Sequence, residues 1–324
     1  MKNPITLFVN ISAIGDAIGA EPALRYAVTH LFNDISDSIL IATIFPEFYT
    51  HLTKLNSNVL ILHTDIANKN IHLFEENTVY RTNPDPAYPE NNIHNFTQTA
   101  MHTVDFVSLH LLKIILPPEH RHIILPEPTT EEIRNIETKF HKLKLDVYKT
   151  LLLHPGVTWP SRTIPLEWWR EFLKEFKGKV CIIGKTSPGQ FRPTLNTKYS
   201  PGAFNLGSKY PSLLNKLSLR ETIVAIALSW GLITNDSSPF HMASAFQKYL
   251  FSFATSREWY KLHPYGHLNA YDLTTKFLYP ASYWCPLLKG QRVDYFPEGI
   301  NSLTEVLWKP KEAAEFINNF YNKS

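Results

Sequence analysis

The apolar segments of this chain run almost without alternation, and that limits its fold more than any other property. Ile5–Ile11, Ser38–Ile44, Val59–His63, Thr150–His154, Lys179–Gly184, Leu232–Thr234 and Lys248–Ala254 read as short strands that are apolar on both faces. A sheet with one wet face alternates in sequence, whereas parallel strands covered by helices on both sides do not. Helical stretches fall between them: Glu21–Phe32 with Pro22 in its first turn, Phe106–Pro117, Leu166–Phe176 and Leu219–Ser229. Pro128–Leu143 opens with Thr129-Thr130-Glu131-Glu132, a strong helix-start pattern for a charged surface helix. Strands that alternate with helices specify the α/β class.

The pattern restarts near residue 147, and 324 residues suit two domains of ordinary size. The expected organisation is a Rossmann-like domain over 1–147 and a second over 148–309. These two strand–helix layers would face each other across a cleft. A C-terminal helix over 310–324 is free to pack back on the N-terminal domain. A short strand is expected at Phe204–Leu206, and residues 81–95 form a polar, Pro-rich loop. No repeat or low-complexity tract interrupts this plan.

Composition excludes several classes. Hydrophobic residues at 44% and charged residues at 19% support a buried core and rule out global disorder. A formal charge of +3, without a block of consecutive Lys or Arg, neither requires nor forbids nucleic acid. Cys181 and Cys285 lie far apart, with Cys181 inside an apolar strand, and read as reduced thiols of a cytoplasmic protein. The N-terminal segment reads as a buried strand rather than a signal peptide, and no apolar stretch reaches membrane-spanning length.

Residues 229–246, SWGLITNDSSPFHMASAF, carry the most chemistry. A strand runs into Asn235-Asp236-Ser237-Ser238, and Pro239 then opens a helix as its first residue, with Ser238 as the expected N-cap. The unpaired N–H groups and positive dipole end of such a helix suit a phosphate. Near the N-terminus, Ala13-Ile14-Gly15-Asp16 reads as a turn after the first strand. Asp16 in that turn can cap the next helix.

Four segments in order resemble glycosyltransferase family 9, the bacterial heptosyltransferases of lipopolysaccharide core synthesis. They are Gly15-Asp16 with Pro22-Ala23-Leu24-Arg25, His154 to Arg162 (HPGVTWPSR), Ser218-Leu219-Arg220-Glu221, and Asn235 to His241 (NDSSPFH). The chain departs from the family at Ser238, where glycine is usual, and at Thr163-Ile164. Residues 50–120 carry no recognisable family signature.

The resemblance implies a two-domain GT-B fold and an inverting glycosyl transfer from a nucleotide-diphosphate sugar, ADP-sugar above others. It also implies no required metal and no cofactor. The acceptor would be a glycan or lipid-linked saccharide, met in the cytoplasm or at the inner-membrane surface. Asp16 resembles the proposed base, and Glu221 the ribose-hydroxyl ligand. Thr158, Ser161 and Arg162 fit a diphosphate clamp of two hydroxyls and one permanent cation. Asp236, Ser237, Ser238 and His241 complete the donor side.

Each assignment has a structural counterpart: a solvated arginine, an ordinary first-turn glutamate, a satisfied histidine. Two other functions stay open on the sequence. One is transfer to a hydroxylated base in viral DNA, and the other is nucleotide-sugar or glycan binding without catalysis. Zinc-ligand spacing, a G-x-S-x-G elbow, a Walker A loop and a dinucleotide fingerprint are all missing from the sequence.

Overall fold

A computed structural model describes residues 5–9, 11, 14–33, 38–70, 78–81, 102–157, 162–186, 202–255, 259–275 and 303–323. The chain divides into two compact units, one of residues 1–127 with 264–267 and one of 128–263 with 268–324.

The first unit is built on four parallel strands, β1 (Ile5–Val9), β2 (Ile39–Thr43), β3 (Val59–His63) and β4 (Thr78–Arg81), in the order β3-β2-β1-β4. Both β1 and β2 are buried along their whole length, as their unalternating sequences require. Instead of a turn, Gly15-Asp16 lies in the first turn of a short helix, α1 (Ile14–Gly19). Helix α2 (Glu21–Tyr26) and a π-helical turn (Ala27–Leu31) then continue the expected Glu21–Phe32 helix, and the short helices α3 (Leu52–Leu55) and α4 (Thr64–Lys69) flank β3. Tertiary packing overrides the turn signal here: a Cβ on Gly19 would stand 2.8 Å from Thr103 Cγ2, so α1 lies tight against α5 (Thr103–Leu112).

A buried ionic network holds this unit together. Glu21 is fully buried and accepts from Arg25 Nε at 2.8 Å, pairs with His51 Nε2 at 3.0 Å, and accepts from the Ile124 N–H at 2.8 Å. Arg25 also donates to the His122 carbonyl at 2.6 Å. The Pro-Ala-Leu-Arg segment therefore fastens the chain around residue 122 to α2.

In the second unit, β5 (Thr150–His154), β7 (Lys179–Ile182), β9 (Gly231–Asn235), β10 (Tyr249–Phe253) and β11 (Ala270–Asp272) form a parallel sheet ordered β11-β10-β9-β5-β7. A separate antiparallel pair joins β6 (Gly156–Val157) to β8 (Gly202–Ala203), slightly before the expected Phe204–Leu206 strand. The helices are α6 (Thr130–His141), α7 (Leu166–Glu175), α8 (Leu219–Leu228), α9 (Ser238–Ala245), α10 (Trp259–Leu262) and α11 (Pro310–Tyr321).

Two expectations change. The boundary falls between Glu127 and Pro128 instead of near 147, because α6 belongs to the second unit: Glu132 accepts Arg220 Nε at 2.7 Å and Nη2 at 2.9 Å, fixing α6 to the start of α8. Helix α11 packs within the second unit against α7, not on the N-terminal domain. Ala313, Ala314 and Ile317 are buried, and Asn318 receives the Lys177 N–H and donates to the Glu175 carbonyl. Its aromatic residues Phe316 and Phe320 join the cluster around Phe251 and Tyr271. Among the described residues no helix is long and apolar enough to cross a membrane.

Ile317→Ala should therefore destabilise the second unit by about 2–5 kcal/mol, the cost of truncating a fully buried aliphatic side chain. Denaturant titration measures it, and a loss below about 0.5 kcal/mol, typical of a surface position, would contradict this seat for α11.

Candidate functional site

Numbered within the second unit, the five parallel strands run 2-1-3-4-5, so successive connections leave in opposite directions from the adjacent strands β5 and β9. In an open α/β sheet that reversal opens a crevice at the carboxyl ends of the two strands, where ligands bind. Register places His154 beside Thr234 at this point. The first unit has its own reversal between β1 and β4, and α1 with Asp16 follows β1 directly. Asp16 is partly buried in the first turn of α1.

Asn235 organises the β5–β9 corner. Its Nδ2 donates to the Gly156 carbonyl at 3.1 Å and to the Arg162 carbonyl at 2.8 Å. Gly156 has to be glycine here, since a Cβ would lie 2.8 Å from Asn235 Oδ1. Arg162 is thereby held at its backbone, and its guanidinium is held as well: Nη1 lies 3.1 Å from Asp236 Oδ2 and 3.4 Å from the Asp236 carbonyl. Both side chains are largely buried, at 13% and 5% exposure, which excludes a merely solvated arginine. One carboxylate cannot occupy all five donors of a guanidinium fork.

Helix α9 starts one residue earlier than expected. Ser237 is the N-cap, Ser238 the first helical residue and Pro239 the second. Ser237 makes no side-chain capping bond; its hydroxyl donates to the Asn235 carbonyl at 3.2 Å and meets Thr234 Oγ1 at 3.1 Å. Pro239 has no N–H and the Phe240 N–H donates to the Ser237 carbonyl at 3.0 Å, which leaves the Ser238 N–H at the start of α9 without a side-chain cap, the kind of donor an anion exploits. His241 is buried in the same helix, its ring edge-on to Phe240.

His154 and Thr234 complete the corner, with Nδ1 of the imidazole 3.0 Å from Thr234 Oγ1. Burial pushes the His154 pKa down to about 4, so the ring is neutral near pH 7. Beside it, the Asn215 N–H donates to the Gly184 carbonyl at 2.9 Å, and Asn215 takes a left-handed conformation (φ 61°). Asn215 leads into a cavity of about 580 Å³ lined among others by Thr186, Asn205, Tyr210, Leu214 and Lys216.

The structure places Arg162, Asp236, Ser237 and Ser238 at the β5–β9 corner. Thr158 and Ser161 lie outside the described residues. Glu221 sits at the start of α8 in a capping box with Ser218, and its carboxylate accepts from Asn135 Nδ2 and Lys139 Nζ, each at 2.7 Å. Sequence reasoning assigned no role to His154, Thr234 or Asn235. Their signal was positional, since each ends an apolar strand inside a motif already singled out. Among the described residues no group of three His, Cys, Asp or Glu side chains gathers to hold a metal.

The Lys139 ammonium and the Ser218 N–H hold Glu221 down to about 2, and Arg220 does the same for Glu132. A carboxylate whose folded pKa lies below its unfolded value contributes stability above the unfolded value and loses it as pH falls. Melting temperature should drop progressively from about pH 4.5 toward about pH 2 as these two groups protonate. Glu221→Gln should flatten that slope, and an unchanged slope would remove Glu221 from the α6–α8 contact.

No protein-family model matches the sequence, and no curated protein matches it. Solved structures do match the fold. A glycosyl transferase of family 9 from Veillonella parvula aligns with a TM-score of 0.65 at 14% identity, over 100% of this chain and 99% of that one. The Escherichia coli ADP-heptose lipopolysaccharide heptosyltransferase II gives 0.59 at 14% identity, over 100% and 99%. The dodecameric iron-containing heptosyltransferase TibC, solved with ADP-D-β-D-heptose, gives 0.62 at 10% identity, over 99% and 78%. The fold is that of heptosyltransferase-like glycosyltransferases, with two Rossmann-like α/β units.

Proposed function

We propose that this protein is an inverting glycosyltransferase that moves a sugar from a nucleotide-diphosphate donor to a hydroxyl of a glycan or lipid-linked saccharide. The observation that carries the reading is the β5–β9 corner, where a pinned arginine adjoins a helix N-terminus that has no side-chain cap. An ADP-sugar is the favoured donor, because structures of this fold were solved with ADP and with ADP-heptose.

The reaction forms a bond between the acceptor oxygen and the anomeric carbon while the bond from that carbon to the diphosphate oxygen breaks. The electron pair leaves with the diphosphate, and the acceptor proton must go to a base. Arg162 and the Ser238 N–H at the start of α9 stabilise the departing charge without reorganising, which makes them effective in a water-poor site. Asp236 keeps the guanidinium aimed.

Thr158, Ser161, Ser237, Ser238 and His241 complete the donor side, and Glu221 is assigned to the ribose. Asp16, at the strand reversal of the first unit, takes the acceptor proton. With a permanent cation and a helix dipole on the leaving group, the reaction requires no divalent metal. No observation favours a DNA acceptor or a binding role without catalysis.

Two measurements test this. Calorimetry with ADP, GDP and UDP should show binding of at least one, weakened by about 1.5–3 kcal/mol in Arg162→Ala, the scale of a hydrogen bond to a charged group. Unchanged affinity in a folded variant would remove the arginine from the site. Asp16→Asn should lower kcat by roughly 10²–10⁴, the usual contribution of general-base catalysis, with its melting temperature and donor affinity preserved. Near-normal turnover would leave Asp16 a structural residue of α1.

A further inference from the structure

One imidazole at the β5–β9 corner has no part in the scheme above. The His154 ring stands between two glycines. A Cβ on Gly156 would lie 2.8 Å from its Cε1, and one on Gly184 would lie 3.1 Å from Cδ2 and 3.4 Å from Nε2. Side chains at either glycine would close the space around the ring.

The hydrogen bonds on its other edge determine where its proton sits. Nδ1 is 3.0 Å from Thr234 Oγ1, Thr234 Oγ1 is 3.1 Å from Ser237 Oγ, and Ser237 Oγ is 3.2 Å from the Asn235 carbonyl oxygen. A carbonyl only accepts, so the Ser237 proton goes to Asn235. Ser237 Oγ then accepts from Thr234, which uses the Thr234 proton. Thr234 Oγ1 in turn accepts, so Nδ1 carries the imidazole proton. The longer contact between Nδ1 and Ser237 Oγ, at 3.4 Å, agrees with this direction. A chain of bonds running one way is also strengthened by mutual polarisation. Nε2 is left with its lone pair, and it has no hydrogen-bond partner among the described residues.

We propose that His154 Nε2 is a specificity-determining acceptor that reads a hydroxyl of the nucleotide-sugar donor. This rests on the transferase reading. A phosphate oxygen offers only lone pairs and would be repelled by Nε2, whereas a sugar hydroxyl donates to it. The hydroxyl belongs either to the ribose or to the transferred sugar. Burial keeps the ring neutral near pH 7, so the lone pair is available there.

His154→Asn isolates this contact. The asparagine amide reaches the place of Nδ1 and still donates to Thr234, but it puts nothing in the place of Nε2. The wild type and variant are compared by calorimetry with inorganic pyrophosphate, with ADP, UDP and GDP, and with the glucose conjugates of these nucleotides. Pyrophosphate should bind both equally, while the hydroxyl-bearing ligand should bind the variant about three- to tenfold more weakly, the range of one hydrogen bond. Loss already present with the nucleoside diphosphate assigns the hydroxyl to ribose. Loss confined to the nucleotide sugar assigns it to the transferred sugar.

Equal loss for pyrophosphate, or no loss for any ligand that binds, overturns the proposal. Long-range proton–nitrogen NMR of the wild type, with the variant identifying the His154 signal, should show the Nδ1–H tautomer. The Nε2–H tautomer would overturn the proposal without any binding measurement. A wild type that binds none of these ligands sinks the transferase reading itself, which is a separate failure.

Discussion

The amide of Asn235 is the interaction on which the donor-side corner depends. It closes β9 and donates at once to the carbonyls of Gly156 and Arg162, which lie on the segment that leaves β5. Two ends of a loop are thereby fastened to one strand end by a buried group. Buried donors are costly when unpaired, so this arrangement resists alternatives more strongly than exposed bonds do. The position of the Arg162 guanidinium follows, because Asp236, the residue just after β9, holds the other end of that side chain. The absence of a Cβ at Gly156 is what lets the loop approach.

A comparable device stabilises the first unit, with a charge in place of an amide. Glu21 is removed from water and surrounded by Arg25, His51 and the Ile124 N–H. Removing one partner from such a group leaves a charge uncompensated, so the network specifies its arrangement even where it adds little net stability. Both units also place polar chemistry where strand order reverses, at β1–β4 and at β5–β9. The helix that follows each first or third strand starts where the chain leaves the sheet. Backbone donors and side chains therefore collect there without any long loop.

The hydroxyls at this corner serve the site in a way that local rules do not express. Ser237 stands at the N-cap yet makes no side-chain capping bond: its hydroxyl turns back to Asn235 and Thr234. That orientation leaves the helix end open to an anion and orders the protons around His154. Glu221 shows the opposite case. Its carboxylate closes a capping box and binds Asn135 and Lys139 of α6, so part of its hydrogen-bonding capacity lies within the structure.

Unalternating apolar runs determined that the strands are buried and parallel, because only a sheet covered on both faces tolerates them. The strand end at His154, the helix around Pro239 and the helix start at Thr129 were likewise legible, since each depends on residues a few positions apart. Tertiary structure decided the rest. It gave α6 to the second unit through Arg220 and Glu132, seated α11 on α7, and put Gly15-Asp16 in the first turn of a helix whose Gly19 lies against Thr103. It also joined Arg162 to Asp236 and His154 to Thr234, across 74 and 80 positions of chain. Local sequence encodes periodicity and caps, whereas contacts at such separations exist only once β5 and β9 lie side by side.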